Sequence, residues 1–329
     1  MPSLFIEPLQ GDEYRDLRTP ALETLLCRAD IRPIDSDSYD EWLCRSFGIE
    51  NMPVAPITLK ADGHDPGKLY WLRADPVHLR IQRDEMFLFD AQAAPLDQTE
   101  ANALCATLNQ HFQEDGLQFI APAPDRWYVK LDSEPALTTA TLDQACGSSI
   151  DALMPSGTES ALWRQRMNEV QMLLFEHPVN VARESRRELP INSVWFWGGG
   201  FMPQNIRSEF THIISDDIFA RGLAQAAQID AQALPTNILQ FPTQSNENNL
   251  FIINYLHNSM LYGDLAKWRA AHERLDAEYF APLLAALKSG AINSLTLIDP
   301  NPYQAREFVI AKNSLRKFWR RAKPIGTYA

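Results

Sequence analysis

The feature that most constrains the fold is an aromatic strand at 193–197 that runs directly into a turn of three glycines. Trp195 and Trp197 alternate with Phe196, so the two indoles lie on one face, and core packing is their first interpretation. Trp197 could also line a pocket. The glycine N–H groups could cradle an anion, or the turn could let two elements pack closely. No Gly-Lys-Ser/Thr follows, so the turn is not a nucleotide P-loop. The three residues are Gly198, Gly199 and Gly200.

Polar residues are dense just ahead of this strand, more so than a hydrophobic core requires. They are His177, Asn180, Arg183 and Asn192. We interpret the segment as a ligand site or as a rigid polar junction. Arg183 is the strongest candidate for gripping a carboxylate or phosphate, because its planar guanidinium matches such groups. The alternative for Arg183 is an ion pair with Glu176 or Glu184. His177 could bind an anion, act as an acid or cap a helix end.

A second polar cluster lies on a predicted strand earlier in the chain. It consists of Arg73, Asp75, His78 and Arg80. Alternation places Arg73 and Asp75 on one face of an extended segment and the other two on the opposite face, unless Pro76 resets the pattern. The cluster either contributes contacts to an anion or forms a surface salt-bridge lattice. We predict that it converges in space with the 177–200 run, and the candidate ligand site depends on that convergence.

Charge and composition exclude several classes of protein. The net charge of −12 over 329 residues disfavours binding to nucleic acid or to an anionic membrane. No apolar run approaches the roughly 20 residues that a transmembrane helix needs, and no signal peptide is recognisable. The four cysteines are scattered without a CxxC pair, which is typical of reduced thiols in a cytoplasm. We therefore predict a cytoplasmic protein.

One segment runs against the acidic average. Residues 316–323 hold five basic residues together with Phe318 and Trp319. The segment could dock an anionic partner. The interpretation favoured by the acidic rest of the chain is a helix whose cations complement its dipole and whose aromatic side chains pack inward.

The order of elements indicates the fold class. Strands predicted at 193–197, 249–255 and 294–298 are separated by helices at 218–228 and 265–287. Apolar strands alternating with helices predict an α/β fold with a mostly parallel sheet flanked by helices. Residues from 69 onward instead predict short strands and one helix, which is typical of a smaller α+β unit.

Five stretches, taken in order, carry a family resemblance: 19–25, 74–90, 100–109, 177–200 and 263–284. The most specific is His-Pro-Val-Asn at 177–180, followed by Arg183, Asn192 and the Trp-Gly-Gly-Gly run. Together they resemble archaeal-type cofactor-independent phosphoglycerate mutases of the alkaline phosphatase superfamily. Within that group the chain looks closest to a bacterial branch, the RpfE-type regulatory proteins.

The resemblance implies a divided chain. Residues 1–64 and 191–329 would form an alkaline phosphatase-like α/β core, and residues 65–190 would form an inserted α+β domain. Catalysis in that superfamily uses two divalent metals held by Asp and His, with a Ser or Thr nucleophile. The matching positions here depart from that pattern: residues 4–10 lack an Asp-Gly, Leu261 replaces a histidine, and Pro300 follows Asp299.

These departures predict a catalytically degenerate protein with no cofactor and no metal. Its regulatory role would be to bind a small anionic metabolite, phosphorylated or carboxylate, or a protein partner. One alternative is a surviving metal-dependent phosphotransferase, mutase or phosphatase, and a second is a structural adaptor. If activity survives, the fallback metal ligands are His257, Asp264, Asp276 and Asp299.

Overall fold

The computed structural model describes residues 16–35, 38–236, 238, 247–256, 259, 264–300 and 305–328. The strands in that part of the chain are β1 (Asp30–Pro33), β2 (Tyr70–Gln82), β3 (Glu85–Phe89), β4 (Gln118–Ala123), β5 (Arg126–Leu131), β6 (Ser193–Gly200), β7 (His212–Ser215), β8 (Asp230–Gln232), β9 (Asn249–Ile252), β10 (Ser294–Asp299) and β11 (Arg306–Ala311).

The α-helices of the same residues are α1 (Pro20–Arg28), α2 (Tyr39–Ser46), α3 (Val54–Ala61), α4 (Gln98–His111), α5 (Leu142–Ala145), α6 (Ser160–Phe175), α7 (Pro178–Ser185), α8 (Ile218–Ala227), α9 (Leu265–Leu275) and α10 (Ala281–Ser289). Side-chain caps fix where several of them begin. Asp97 and Glu100 form a reciprocal capping box on α4, and the Asp217 carboxylate accepts the Ala220 N–H at the start of α8.

The chain divides into two compact units. The first contains residues 1–50 and 207–329, and the second contains residues 51–206. The inserted domain predicted at 65–190 lies inside the second unit, whose boundaries extend further at both ends. The reason is pairing: β6 lies beside β2 as an antiparallel neighbour, and α3 packs against both strands. The aromatic strand and its glycines therefore belong to the second unit.

The second unit is built on one antiparallel sheet. Its strand order is β3–β2–β5–β4, and β6 also pairs with the long strand β2. The helices α4 and α6 pack against β4 and β6 respectively. Between them lies an aromatic core in which the Trp163 and Phe196 rings meet edge to face at 4.9 Å. Trp127, Trp163 and Trp195 are fully buried, so each of these indoles packs as a core residue.

The first unit holds two small sheets. One has the order β8–β7–β9 and is parallel, whereas β1–β11–β10 is antiparallel. The structure is therefore a mixed α/β fold, and the prediction of a mostly parallel sheet was correct only for β7–β9. The physical reason is connection length: only a short link separates β10 from β11, whereas a parallel pair needs a crossover of a dozen or more residues.

The helical run that begins at Leu265 continues to Ser289 but changes its winding midway. A π-helical turn, Asp276–Phe280, separates α9 from α10. Pro282 lies in the first turn of α10. In a regular α-helix its ring would clash with the carbonyl four residues earlier, and proline has no N–H to donate, so a change of winding just ahead of it relieves both problems. Gly290 ends the run in a left-handed conformation with φ of 86°. Trp268, Tyr279 and Phe308 are fully buried in the core that this run helps to form.

The segment 316–323 differs from its favoured interpretation. A short 3₁₀ helix, Lys312–Arg316, ends where the segment begins, and turn and extended backbone follow. Phe318 is 80% exposed and Trp319 is 67% exposed, so neither ring packs inward. The expected helix is wrong: the backbone N–H groups of Lys317 and Arg320 bond to the carbonyls three residues earlier and close tight turns. The side chains of the same two residues bind Asp30 and Ala29, which follow α1. Among the described residues, no helix is long and apolar enough to span a bilayer.

Candidate functional site

The two polar clusters predicted from the sequence meet along the β2–β6 pair. The register places Arg73 opposite Trp197 and Asp75 opposite Trp195. Just beyond the paired residues, the Asn192 amide bonds to the backbone of Leu79, donating to its carbonyl at 2.8 Å and accepting its N–H at 2.7 Å. These bonds place Asn192 of one cluster beside His78 and Arg80 of the other.

An open groove of about 440 Å³ lies at this end of β2. We call it the His78–Asn192 groove. Its walls come from β2, β3, α6 and the chain ahead of β6, and the lining residues are His78, Leu79, Arg80, Ile81, Met86, Gln171, Leu189 and Asn192. The sequence analysis singled out three of these eight residues. Nothing in the sequence marks Met86, Gln171 and Leu189 as candidate ligand-binding residues. Only the packing of α6 and β3 shows that they line the groove.

The two basic side chains of the groove, Arg80 and His78, differ in their environment. Arg80 is exposed and makes no hydrogen bond or ion pair among the described residues. His78 is buried, and its Nδ1 lies 2.9 Å from the Pro190 carbonyl, which fixes this nitrogen as the donor. Burial lowers the pKa of His78 below its ordinary value of 6.5, and the charge of Arg80 adds to that effect. At neutral pH the groove therefore presents one full positive charge beside a neutral imidazole.

His177 and Asn180 join three elements. The His177 Nδ1 accepts the Val179 N–H at 3.2 Å and caps α7, while its Nε2 lies 3.0 Å from the Thr107 hydroxyl of α4. Asn180 is buried and donates to the Leu174 and Ile191 carbonyls at 2.7 and 2.8 Å. Its own oxygen accepts the Ile191 N–H at 2.9 Å. The Asn180 side chain thus uses both of its N–H donors and one acceptor lone pair to join α6 and α7 to the residues ahead of β6.

Arg183 binds a carboxylate, but the carboxylate is that of a residue in the same chain, Glu100. The Arg183 side chain is 1% exposed, and its Nη1 lies 2.6 Å from the Glu100 carboxylate on α4. Neither of the expected partners, Glu176 or Glu184, is the one observed. The remaining nitrogens donate to the Leu189 and Pro95 carbonyls, each at 2.9 Å. Binding of an external ligand by Arg183 remains a prediction, and such a ligand would compete with these bonds.

The three glycines do not form the expected turn: they belong to β6, where an irregularity shifts the pairing with β2 between Trp71 and Arg73. This glycine bulge lets the backbone lie closer to neighbouring side chains than any other residue would allow. A methyl group at Gly198, where φ is +61°, would lie 2.9 Å from the Val54 Cβ on α3. One at Gly199 would lie 2.5 Å from the Tyr70 hydroxyl, and one at Gly200 would lie 2.5 Å from Pro53. Close packing explains all three glycines. It does not require the alternative, an anion bound by their N–H groups, which stays a prediction.

Trp197 takes part in a buried charge network instead of a pocket wall. Its indole N–H donates to the Asp75 carboxylate at 2.7 Å, and Arg73 donates to the other oxygen of that carboxylate at 2.7 and 3.0 Å. The Arg73 guanidinium lies between the Tyr128 and Trp197 rings, 5.2 and 5.3 Å from their centroids. Arg73 and Asp75 are buried, so the surface salt-bridge lattice weighed from the sequence is not what this pair forms.

The fallback metal ligands are dispersed. The Asp264 carboxylate caps α9 and pairs with Lys267 at 2.9 Å, and the Asp276 carboxylate accepts the N–H groups of Ala21 and Leu22 at the start of α1. Asp299 lies 3.4 Å from Arg306. His257 lies outside the described residues. Within the described ranges, no three His, Cys, Asp or Glu side chains are grouped to hold a metal. The described carboxylates therefore do not fit a dinuclear centre.

Comparison with known proteins identifies relatives of this chain. No model of a known protein family matches the chain. The 2,3-bisphosphoglycerate-independent phosphoglycerate mutase of Methanosarcina mazei is 24% identical over 207 residues, 57% of this chain and 49% of that protein. A second such mutase, from Methanothermobacter thermautotrophicus, is 30% identical over 131 residues, 37% of this chain and 31% of that protein. The chain is homologous, at low identity, to these mutases.

The fold agrees with a solved structure as well. A protein of Pyrococcus horikoshii superposes with a TM-score of 0.52 at 12% identity, over 91% of this chain and 81% of that one. This similarity concerns the fold alone. The chain spans about half the length of the Methanosarcina mazei mutase that it matches.

Proposed function

We propose that this protein is a phosphoglycerate mutase-like protein that binds a small phosphate- or carboxylate-bearing metabolite in the His78–Asn192 groove without transforming it. The observation that carries the proposal is that His78 and Arg80 of one polar cluster and Asn192 of the other line the same groove. Beside His78, Arg80 offers a guanidinium that has no hydrogen-bond or ion-pair partner in the part of the chain that the structure describes. The planar arrangement of its N–H donors matches phosphate and carboxylate oxygens. The regulatory role of the RpfE-type branch would follow from binding without turnover.

Two further observations support a degenerate protein. The sequence departs from the mutase pattern at three matching positions, and Asp264, Asp276 and Asp299 are each engaged in a helix cap or an ion pair. A carboxylate that already accepts backbone N–H groups has fewer lone pairs to offer to a cation.

The remaining candidates have a supporting role in this proposal. His177, Asn180 and Arg183 hold α4, α6 and α7 in place, and Leu189 and Asn192 of the groove wall follow directly from that junction. Trp197 and the glycines fix β6 against β2. We therefore assign direct ligand contact to His78, Arg80 and Asn192, and positioning to the others.

Thermal unfolding tests the proposal, because a ligand that binds only the native state raises its melting temperature. We expect 3-phosphoglycerate, 2-phosphoglycerate or inorganic phosphate to raise Tm in the wild type and in Lys68→Gln. Lys68 is an exposed cation of the same unit and lies outside the groove. The shift should vanish in Arg80→Gln. No shift with any of these anions would overturn ligand binding, and a shift with Mn²⁺ accompanied by phosphatase turnover would favour a surviving enzyme.

A further inference from the structure

The basic–aromatic segment, residues 316–323, exposes two large rings side by side. Phe318 and Trp319 are 80% and 67% exposed, and their rings meet edge to face with centroids 5.4 Å apart. Scattered apolar residues on a surface are ordinary, but two adjacent aromatic rings form a contiguous patch of the kind that marks an interaction site. The sequence-based expectation of inward packing does not account for them.

The patch is held in place from both sides. The Lys317 ammonium lies 2.6 Å from the Asp30 carboxylate, and the Arg320 guanidinium donates to the Ala29 carbonyl at 2.8 Å. The Arg320 N–H also closes a turn onto the Lys317 carbonyl at 2.9 Å. Further along, Ile325 is fully buried. The two aromatic residues therefore stand at the tip of an anchored turn, and little conformational entropy remains to be lost when they bind.

Three cations of the segment have no partner among the residues that the structure describes. Lys317 and Arg320 are used to anchor the turn, which leaves Arg316, Arg321 and Lys323. All three are exposed, and none forms an ion pair or side-chain hydrogen bond with any residue that the structure describes. Asp30 is the acidic residue paired with the segment, and its carboxylate is shared between Lys317 and Arg320. The surface thus combines unpaired positive charge with exposed aromatic area.

We propose that the basic–aromatic segment is a docking surface for an acidic segment of a partner protein, one that also carries apolar side chains. Phe318 and Trp319 would act as the anchors, since aromatic residues and Arg supply most of the energy at protein interfaces. Arg316, Arg321 and Lys323 would pair with carboxylates around those anchors. This inference does not depend on the proposed function of the His78–Asn192 groove.

Charge favours a short acidic segment over an anionic membrane. A membrane is a wide negative plane that faces much of the molecule, whose net charge is −12. A peptide that fits over the patch interacts mainly with charges within about 8 Å, the screening length at physiological salt. The segment beneath it holds five basic residues and no acidic one. The same net charge that repels a bilayer therefore leaves the local attraction of a small partner largely intact.

Fluorescence anisotropy of the full chain with a labelled Glu-rich peptide containing several Leu residues tests the proposal. The comparison peptide has every Glu replaced by Gln. We expect the acidic peptide to bind roughly tenfold or more tightly than the Gln peptide at low salt, and the difference to shrink in high salt. Equal binding of both peptides, or no binding of either, would overturn the proposal.

Matched variants locate the surface. Phe318→Ala/Trp319→Ala and Arg316→Gln/Arg321→Gln/Lys323→Gln should each weaken binding about tenfold or more. Met172→Ala/Phe175→Ala removes two other exposed apolar side chains, and Lys68→Gln/Arg83→Gln/Arg187→Gln removes three other exposed cations. Both controls should bind as the wild type does. Equal loss in the controls, preferential binding to phosphatidylserine vesicles, or concentration-dependent self-association through the patch would each contradict an acidic protein partner.

Discussion

The Arg183 junction and the basic–aromatic segment both concentrate charge and large side chains, but they use them in opposite ways. In the junction, Arg183 is 1% exposed, and Glu100, Leu189 and Pro95 together occupy all three of its nitrogens. In the segment, Arg316, Arg321 and Lys323 are exposed, and the rings beside them face solvent. One region satisfies its charge internally, and the other leaves it available.

The difference shows that residue type does not identify a binding site by itself. A buried charge is tolerated when it is paired and hydrogen-bonded, because desolvation without partners costs several kcal/mol. Arg183 meets that condition through three separate stretches of the second unit. The criterion that separates a site from a junction is whether a polar group still has bonding capacity, and by that criterion Arg80 and the segment remain candidates for ligand contact.

The largest effect should come from breaking the junction. Arg183→Met leaves the Glu100 carboxylate with Arg186 as its remaining cation and leaves the Leu189 and Pro95 carbonyls without this donor. We expect the free energy of unfolding to fall by about 3–5 kcal/mol, measured by urea denaturation. Arg187→Met removes an exposed neighbouring cation and should change stability by no more than about 0.5 kcal/mol.

A double variant sharpens that test. If the loss of stability arises because the Glu100 carboxylate no longer has Arg183 as a partner, Arg183→Met/Glu100→Gln should be more stable than Arg183→Met alone. A small effect of Arg183→Met, similar to that of Arg187→Met, would mean that the guanidinium is not needed internally. That result would return Arg183 to the set of ligand-contact candidates.

The next effect concerns the glycine bulge at the end of β6, and the chain offers a close control. Gly198 and Gly67 have nearly the same backbone angle, with φ of +61° and +60°, but a Cβ at Gly198 would meet Val54 at 2.9 Å whereas one at Gly67 would meet nothing within 4 Å. Gly67→Ala should cost about 1–2 kcal/mol from the left-handed conformation alone. Gly198→Ala should cost about 1–3 kcal/mol more from overpacking. Equal losses in urea denaturation would show that close packing does not explain Gly198.

A smaller effect should appear in the pH dependence of the groove. Burial lowers the pKa of His78 from its ordinary 6.5, so the unfolded chain takes up this proton at a higher pH than the folded chain. The stability contributed by the neutral ring is present above about pH 6.5 and is lost as the pH falls from there through the folded-state pKa. We expect unfolding free energies between pH 7.5 and 5.5 to fall less in His78→Gln than in the wild type. Identical slopes would show that His78 is not held neutral by burial.

The sequence predicted several local features correctly because their causes are local. Helices begin at Ile218 and Leu265 as predicted, and Trp195 packs in the core. The orientation of β11 depends on the length of a connection, which could be read from the sequence only after both strands were recognised. Two of the three hydrogen-bond partners of Arg183, Glu100 and Pro95, lie 83 and 88 residues away in the chain. Nothing in a single sequence shows which of the available acidic residues such a side chain will meet.

Long-range contacts also explain why the sequence did not predict the full lining of the groove or the exposure of the basic–aromatic segment. His78, Arg80 and Asn192 were candidates from the sequence because polar residues clustered there, but Gln171 and Met86 join them only through the packing of α6 and β3. The aromatic residues of 316–323 were expected inside because aromatic side chains usually are. Their exposure depends on Lys317 and Arg320 being bonded to Asp30 and Ala29, and those contacts are long-range in sequence.

The smallest effect on stability is expected in the basic–aromatic segment. Phe318→Ala/Trp319→Ala removes two rings that are mostly exposed, and the anchoring bonds of Lys317 and Arg320 do not involve them. The unfolding free energy of the isolated protein should therefore change by no more than about 0.5 kcal/mol, as surface substitutions usually do. A loss of several kcal/mol in urea denaturation would instead mean that the rings pack against the molecule in solution. The segment would then resemble the Arg183 junction, and its availability for a partner would be refuted without any binding experiment.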